Sequence, residues 1–192
     1  MRKARIAFRF GHYGDCFHGS QVQPDVPTVQ GTFMHIFKKK LKWTQERMPV
    51  AFSSRTDSGV HVRLNGGFID LEQERWDAMG EAGFIKAVGH QIPESISLID
   101  ARQVADDWSP RRALYRTYRY RMECMEGWVE PELKSFTDLC SLFKGEHDWS
   151  NFCRREPGRT TTRVVEDCKP WVNDGRIIGF EIVGEAFVWN QV

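Results

Sequence analysis

The segment Ser53-Ser54-Arg55-Thr56-Asp57-Ser58-Gly59-Val60-His61 concentrates a carboxylate, a guanidinium, several hydroxyls and a glycine between two strand-like stretches. If Arg55 and Asp57 both face a cleft, charge pairing keeps the carboxylate ionised, which suits a nucleophile or a general base. The same composition also suits an Asx turn, and spacing alone does not choose between the two. A second group is basic and aromatic. Along the strand-like run Arg116–Met122, alternation puts Arg116, Tyr118 and Tyr120 on one face and Thr117, Arg119 and Arg121 on the other. With Arg111 and Arg112 just before it, and a second cluster at Arg154, Arg155, Arg159 and Arg163 beside Phe152, this is the composition of a surface that faces RNA, with ordinary surface ion pairs as the alternative for about half of the arginines.

Other chemistries find little support. The six histidines show neither HExxH nor HxE…CxxC spacing, so no metal site is expected. The five cysteines (Cys16, Cys124, Cys140, Cys153, Cys168) form no CxxC pair, and their odd number fits free thiols in a reducing compartment better than a disulfide framework. A Ser/His/Asp hydrolase would need a nucleophile elbow, and no GxSxG is present. His61 reads more readily as a turn-stabilising residue than as a proton carrier.

The elements that must position these residues follow from periodicity. Ala4–Phe10 alternates Ile6, Phe8 and Phe10 with Arg5, Ala7 and Arg9, the pattern of a half-buried strand. Gly11–Pro27 has no sustained period and reads as a long loop, a candidate substrate loop. Thr28 is a plausible N-cap for an amphipathic helix of about four turns carrying Val29, Phe33, Ile36, Phe37 and Leu41 inward and the lysines 38–40 and 42 outward. Strands at Pro49–Ser53 and Leu64–Leu71, a helix at Glu74–His90 weakened by Gly80 and Gly83, and a strand at Ser97–Val104 complete a βαββαβ order. A boundary is expected within Asp106–Pro110, dividing the chain into residues 1–105 and 106–192. The second part begins in the same way, with a strand at Tyr115–Cys124, a helix in Pro131–Lys144, strands near Arg163–Val172 and Arg176–Val183, and the opening of a helix at Glu185–Val192. The expected class is therefore α+β, with two ferredoxin-like halves of antiparallel sheet around a central basic cleft, the second half incomplete.

Composition narrows the setting. The chain has 192 residues, 41% of them hydrophobic and 28% charged, so wholesale disorder is excluded. Lys+Arg 27 against Asp+Glu 26 excludes a globally basic binder, and any affinity for a polyanion must come from local clusters. Residues 1–105 hold 14 Lys+Arg and 11 Asp+Glu, against 13 and 15 in 106–192, so neither half is basic overall. No apolar run approaches the roughly 20 residues of a membrane-spanning helix, and the start leads into a strand pattern rather than a signal peptide. A soluble intracellular protein with no membrane partner is expected.

Several motifs, taken together, resemble one family. Arg55-Thr56-Asp57-Ser58-Gly59-Val60-His61 is similar to the GRTDxGVHA signature of the tRNA pseudouridine synthase A family. Tyr13-Gly14…Phe17-His18-Gly19-Ser20-Gln21-Val22-Gln23 resembles its YxGxxFxGxQxQ, and Thr28-Val29-Gln30-Gly31 its TVQ helix start. Leu114–Tyr120 looks like the KxYxY strand, Gly145–Phe152 like GxHDFxxF, Thr162-Arg163-Val164 like TxRxI, and Gly184–Val192 like GxxFLxxMVR. Ser54 stands where the family has Gly, Ser20 where many members have Trp, and Val192 falls just before the position of the family's second active-site arginine.

The resemblance implies isomerisation of uridine to pseudouridine in the anticodon stem-loop of tRNA, in the cytoplasm, with no cofactor and with a homodimer as the common assembly. It implies Asp57 as the catalytic carboxylate, Tyr118 as the aromatic that stacks on the target base, and Arg55 and Arg116 as substrate-binding residues. Because the match stops before the family's further arginine and closing strands, an RNA-binding relic or fragment with impaired catalysis is the alternative. Whether Asp57 adds to the base or first assists loss of the sugar 2′-proton stays open.

Overall fold

A computed structural model describes residues 2–155 and 157–192. The chain divides into two compact units, Met1–Arg112 and Ala113–Val192. The segment 106–112 belongs with the first unit: the Trp108 carbonyl accepts from Arg5 Nη1 at 3.0 Å, and Pro110 is buried.

In the first unit β1 (Lys3–His12), α1 (Val29–His35), β2 (Ala51–Phe52), β3 (Val62–Glu72), α2 (Gln73–Gly89) and β4 (Ile96–Val104) follow the expected βαββαβ order. The sheet runs β2-β3-β1-β4, all antiparallel, the ferredoxin-like arrangement. Period two dictates its core: Ala4, Ile6, Phe8 and Phe10 of β1 are buried with Ile69 and Leu71 of β3, while Arg5 and Arg9 on the opposite face pair with Asp70 and Asp100. Phe8, Phe10, Phe33, Phe37 and Phe84 pack ring on ring at 5.0–6.1 Å, and each fully buried phenylalanine removes enough apolar surface from water to stabilise by about 1.5–3 kcal/mol.

Thr28 caps α1 as expected, its Oγ1 accepting from Gly31 N at 3.2 Å. The helix is shorter than four turns. It passes at Ile36–Lys40 into a π turn, closed by Leu41 N donating to the Ile36 carbonyl at 2.9 Å, and Trp43 then folds back to stack on Phe37 at 5.9 Å. Burial of Trp43 against Phe37 and Phe84 competes here with a regular last turn. Lys39, Lys40 and Lys42 are exposed, a solvated face. Helix α2 is broken at Gly80, whose φ of 56° is not helical.

In the second unit β5 (Arg116–Arg121), α3 (Leu133–Ser141), β6 (Gly145–Asp148), β7 (Thr162–Asn173) and β8 (Arg176–Gly184) form one antiparallel sheet in the order β5-β8-β7-β6. The β5-β8-β7 portion repeats the β1-β3-β2 pairing of the first unit, and β6 is an added edge strand. β7 and β8 are joined through Asp174 and Gly175, both left-handed at φ 49° and 79°, as a two-residue hairpin requires. Phe136 and Cys140 of α3 pack on Val165, Cys168, Ile177 and Ile182. Desolvation pushes the Cys168 thiol up to about 12, the mark of an inert core thiol.

The helix expected at Glu185–Val192 does not form. The segment is irregular and closes in a turn, with Gln191 N donating to the Val188 carbonyl at 3.1 Å, Val188 N donating to Gln191 Oε1 at 2.9 Å, and Asn190 at φ 64°. Its aromatic side chains find partners without a helix: Phe187 meets Tyr118 edge to face at 5.2 Å, and Trp189 lies under the Arg154 guanidinium at 4.3 Å. So short a helix would be marginal on its own, and these contacts favour the irregular path.

Candidate active site

The loop from β2 to β3 is fastened on both sides of Asp57. On one side Asn65, buried near the start of β3, accepts from Ser54 N at 3.2 Å through Oδ1 and donates from Nδ2 to the Ser54 carbonyl at 3.0 Å. Next to it Ser20, also buried, accepts from Thr56 N at 2.8 Å through Oγ while its own N donates to the Thr56 carbonyl at 2.9 Å. These two reciprocal pairs fix the backbone immediately before Asp57. Beyond it, Ser58 Oγ donates to the Phe17 carbonyl at 3.4 Å, and Gly14 N donates to His61 Nδ1 at 3.3 Å. Gly14 is required by the close approach of the two loops, since a Cβ there would lie 2.4 Å from the Gly59 carbonyl. The expected substrate loop 11–27 is thus the structural partner of the carboxylate loop.

Asp57 and Arg55 are both exposed, carried on a backbone that is held rigidly from below. Among the described residues no hydrogen bond or ion pair joins the two side chains, so the charge pairing expected from their spacing is not formed in this conformation. Two like-spaced charges on one fixed turn instead present an anion and a cation side by side to solvent. Thr56 Oγ1, between them in sequence, is buried without a partner among the described residues. The Nε2 of His61 faces Asp15 Oδ1 at 3.5 Å. With Nδ1 accepting from Gly14 and Nε2 turned toward a carboxylate, the imidazole acts as a brace between the loops, as its turn-stabilising reading anticipates.

Tyr118 and Arg116 lie on β5 in the second unit. Tyr118 is in register with Ile182, and Ile182 with Cys168, so Tyr118 shares the face that α3 covers and is half-buried against Phe187. Arg116 lies on the same face by alternation, and its guanidinium donates to the Glu185 carbonyl. The other face carries Arg119 and Arg121, both over the Trp171 ring at 5.4 and 5.8 Å. Arg119 pairs with Glu181 at 2.7 Å, and that contact holds the Glu181 carboxyl below the usual range. Arg121 pairs with Glu123 at 2.6 Å. These two arginines are therefore partly committed to ion pairs, the alternative noted for the basic clusters. Among the described residues no group of three or more His, Cys, Asp or Glu is arranged to hold a metal, and no helix is long and apolar enough to cross a membrane.

Sequence reasoning missed Ser20 and Asn65 as loop fasteners, and it missed His12. The signal was present. Asn65 and His12 are polar residues at buried positions of otherwise apolar strand runs, where an unpaired polar group would be costly.

A doubly fastened RTD turn beside a ferredoxin-like sheet defines the class of site, and comparison with known proteins identifies the family. The sequence model described as tRNA pseudouridine synthase matches residues 139–192. The chain is 31% identical over 192 residues to the tRNA pseudouridine synthase A of Methanoculleus marisnigri, covering 97% of this chain and 65% of that protein. It is 32% identical over 189 residues to that of Archaeoglobus fulgidus, covering 98% and 65%, and 30% identical over 191 residues to that of Thermococcus kodakarensis, covering 98% and 67%. The chain belongs to the tRNA pseudouridine synthase A family, and it spans 65% of the length of the first two of these relatives.

Proposed function

We propose that this chain carries out, or supplies the catalytic region for, isomerisation of uridine to pseudouridine in tRNA, with the anticodon stem-loop as its target. The observation that carries the proposal is the exposed Asp57 on a turn pinned by Ser20 and Asn65, in a chain that belongs to this family. The reaction breaks the bond between C1′ and the base nitrogen and joins C1′ to C5. Composition is unchanged, so no oxidant or reductant is consumed, and no cofactor is proposed.

The target base must leave its stack before its glycosidic bond can be reached. A fixed turn is suited to this step, because the carboxylate must meet C1′ and the base in one geometry, and positional freedom would be lost on binding at a cost in rate. Asp57 is the reacting carboxylate in this proposal. Arg55, two residues away and equally exposed, holds the phosphate or sugar of the extruded nucleotide by charge-assisted hydrogen bonds. Tyr118 stacks on the base, and Arg116 contributes positive charge beside it. A homodimer and a cytoplasmic location, both implied by the family resemblance, belong to the same proposal, and sedimentation of the purified chain reads the former.

The deciding experiment uses tRNA carrying tritium at uridine C5, whose release reports the new carbon–carbon bond. The parent chain should release tritium, and Asp57→Asn, which keeps shape and removes charge, should release none while binding tRNA within a few-fold of the parent. Turnover of Asp57→Asn near the parent rate would remove Asp57 from its role. Binding without turnover by the parent itself would favour the RNA-binding alternative.

A further inference from the structure

We propose that Tyr13 is a stacking surface for the base next to the target uridine, so that the loop packed against the Asp57 turn carries part of the RNA-binding site. The inference deepens the proposed function and rests on it for the identity of the RNA.

Tyr13 is the first residue beyond β1, at the end of the sheet where His12 pairs with both Val62 of β3 and Ile96 of β4. Its backbone is held there. Tyr13 N donates to the Ser95 carbonyl at 2.9 Å, and the next residue, Gly14, packs so closely that a Cβ on it would lie 2.4 Å from the Gly59 carbonyl. Gly14 N also donates to His61 Nδ1 at 3.3 Å. Gly59 and His61 both follow Asp57 on the same loop, so Tyr13 is fixed to the carboxylate loop through its own neighbour.

The side chain breaks the pattern of its unit. Tyr13 is 63% exposed, whereas every other Phe, Tyr or Trp of Met1–Arg112 is buried or half-buried, most of them around one core. Its ring meets His61 edge to face at 6.1 Å, a contact that occupies at most one face of the phenol. A planar ring kept out of the core and anchored beside the carboxylate offers a flat apolar surface to a flat ligand. The proposed reaction supplies that ligand. Extruding the target base unstacks its neighbours, and aromatic side chains hold unstacked bases through their π-faces. Tyr118 is assigned to the extruded base itself, which leaves a neighbouring base for the ring carried by the same unit as Asp57. Because the backbone of Tyr13 is already fixed, little of its freedom is lost on binding.

The test measures binding of the parent, Tyr13→Ala and Tyr118→Ala to an anticodon stem-loop hairpin and to a series of the same hairpin, each with a single abasic nucleotide. On the intact hairpin Tyr13→Ala should lose roughly 5- to 100-fold in affinity, the worth of one base–aromatic stack, and Tyr13→Phe should recover it. At one abasic position the parent should be weakened by a similar factor and Tyr13→Ala should be no weaker than the parent, because the contact is already gone. That position should adjoin the one at which Tyr118→Ala shows the same coupling. An equal loss on every hairpin would overturn the stacking role and leave Tyr13 as a support for His61, and full affinity of Tyr13→Ala on the intact hairpin would overturn it too. Coupling of both variants to one nucleotide would overturn the assignment to a neighbouring base. Binding needs no turnover, so adjacent couplings in a parent chain that releases no tritium would uphold Tyr13 and count against the proposed isomerisation alone. A parent that binds none of the hairpins would overturn both.

Discussion

Tyr118 is held by two kinds of constraint at once. Its register with Ile182 places it over the α3 side of the sheet, and Phe187 takes its edge, so truncating the ring removes packing as well as any surface for a base. The two effects separate by comparison with Phe187. Base–aromatic stacking is worth about 1–3 kcal/mol, so Tyr118→Ala should lose roughly 5- to 100-fold in RNA affinity or kcat/KM, whereas Tyr118→Phe should bind tRNA as the parent does. Phe187→Ala opens the same edge-to-face contact and should lower the unfolding temperature without lowering tRNA affinity to that extent. Equal loss of affinity in Tyr118→Ala and Phe187→Ala, in step with their loss of stability, would assign Tyr118 to the core alone. The roles of single residues were legible in uneven measure. The chemistry of Asp57 and Arg55 was readable from residue type and spacing, but their lack of a mutual ion pair was not, because side-chain direction on a turn depends on which backbone groups the neighbouring loop engages.

At the level of elements, strands with one buried face were readable and those without were not. β1, β3 and β4 alternate, and their expected spans lie inside the observed ones. β6 escaped because all four of its residues, Gly145-Glu146-His147-Asp148, are exposed, so nothing in its hydrophobic pattern marks a strand; only pairing with β7 makes it one. The tail after β8 failed in the opposite way, since aromatic spacing that suits a helix is satisfied by Tyr118 and Arg154 instead. The fastening of the carboxylate loop is an element-scale device and can be weakened one clasp at a time. Ser20→Ala removes the acceptor for Thr56 N and leaves a backbone donor unpaired, a loss of about 1–3 kcal/mol. Its expected outcome is faster proteolytic cutting within residues 53–61, with β1 and β3 still protected. Cutting at the parent rate would show that Asn65 and the contacts of loop 11–27 suffice without Ser20.

On the scale of the whole chain, the two units differ in how they store their charged and neutral groups, and acid should take them apart in sequence. In the first unit His12 is held neutral, its affinity for protons lowered from the ordinary 6.5 chiefly by burial. Its unfolded form therefore binds a proton that the folded form refuses. Stability of this unit is full above about pH 6.5 and falls as pH drops from there toward the lower folded value, by at most about 1.4 kcal/mol per pH unit for one proton. Asp100 of the same unit is a carboxylate lowered by Arg9, and the second unit holds several groups of that second kind. Glu181 is lowered by its hydrogen bond from Arg119, Asp167 by Lys144, and Asp148 by Thr161. Each is a carboxylate whose folded form holds its proton less tightly than the unfolded chain, so its contribution is complete above the ordinary carboxylate values of 3.8–4.5 and is lost only as pH falls below them. Hydrogen exchange followed peptide by peptide between pH 7 and pH 4 should show the strands of Met1–Arg112 losing protection first, after correction for the intrinsic pH dependence of exchange, while β7 and β8 hold. His12→Phe should flatten the early phase and leave the later one in place. Simultaneous loss in both units, or an early phase that survives His12→Phe, would place the acid-sensitive group elsewhere than at His12.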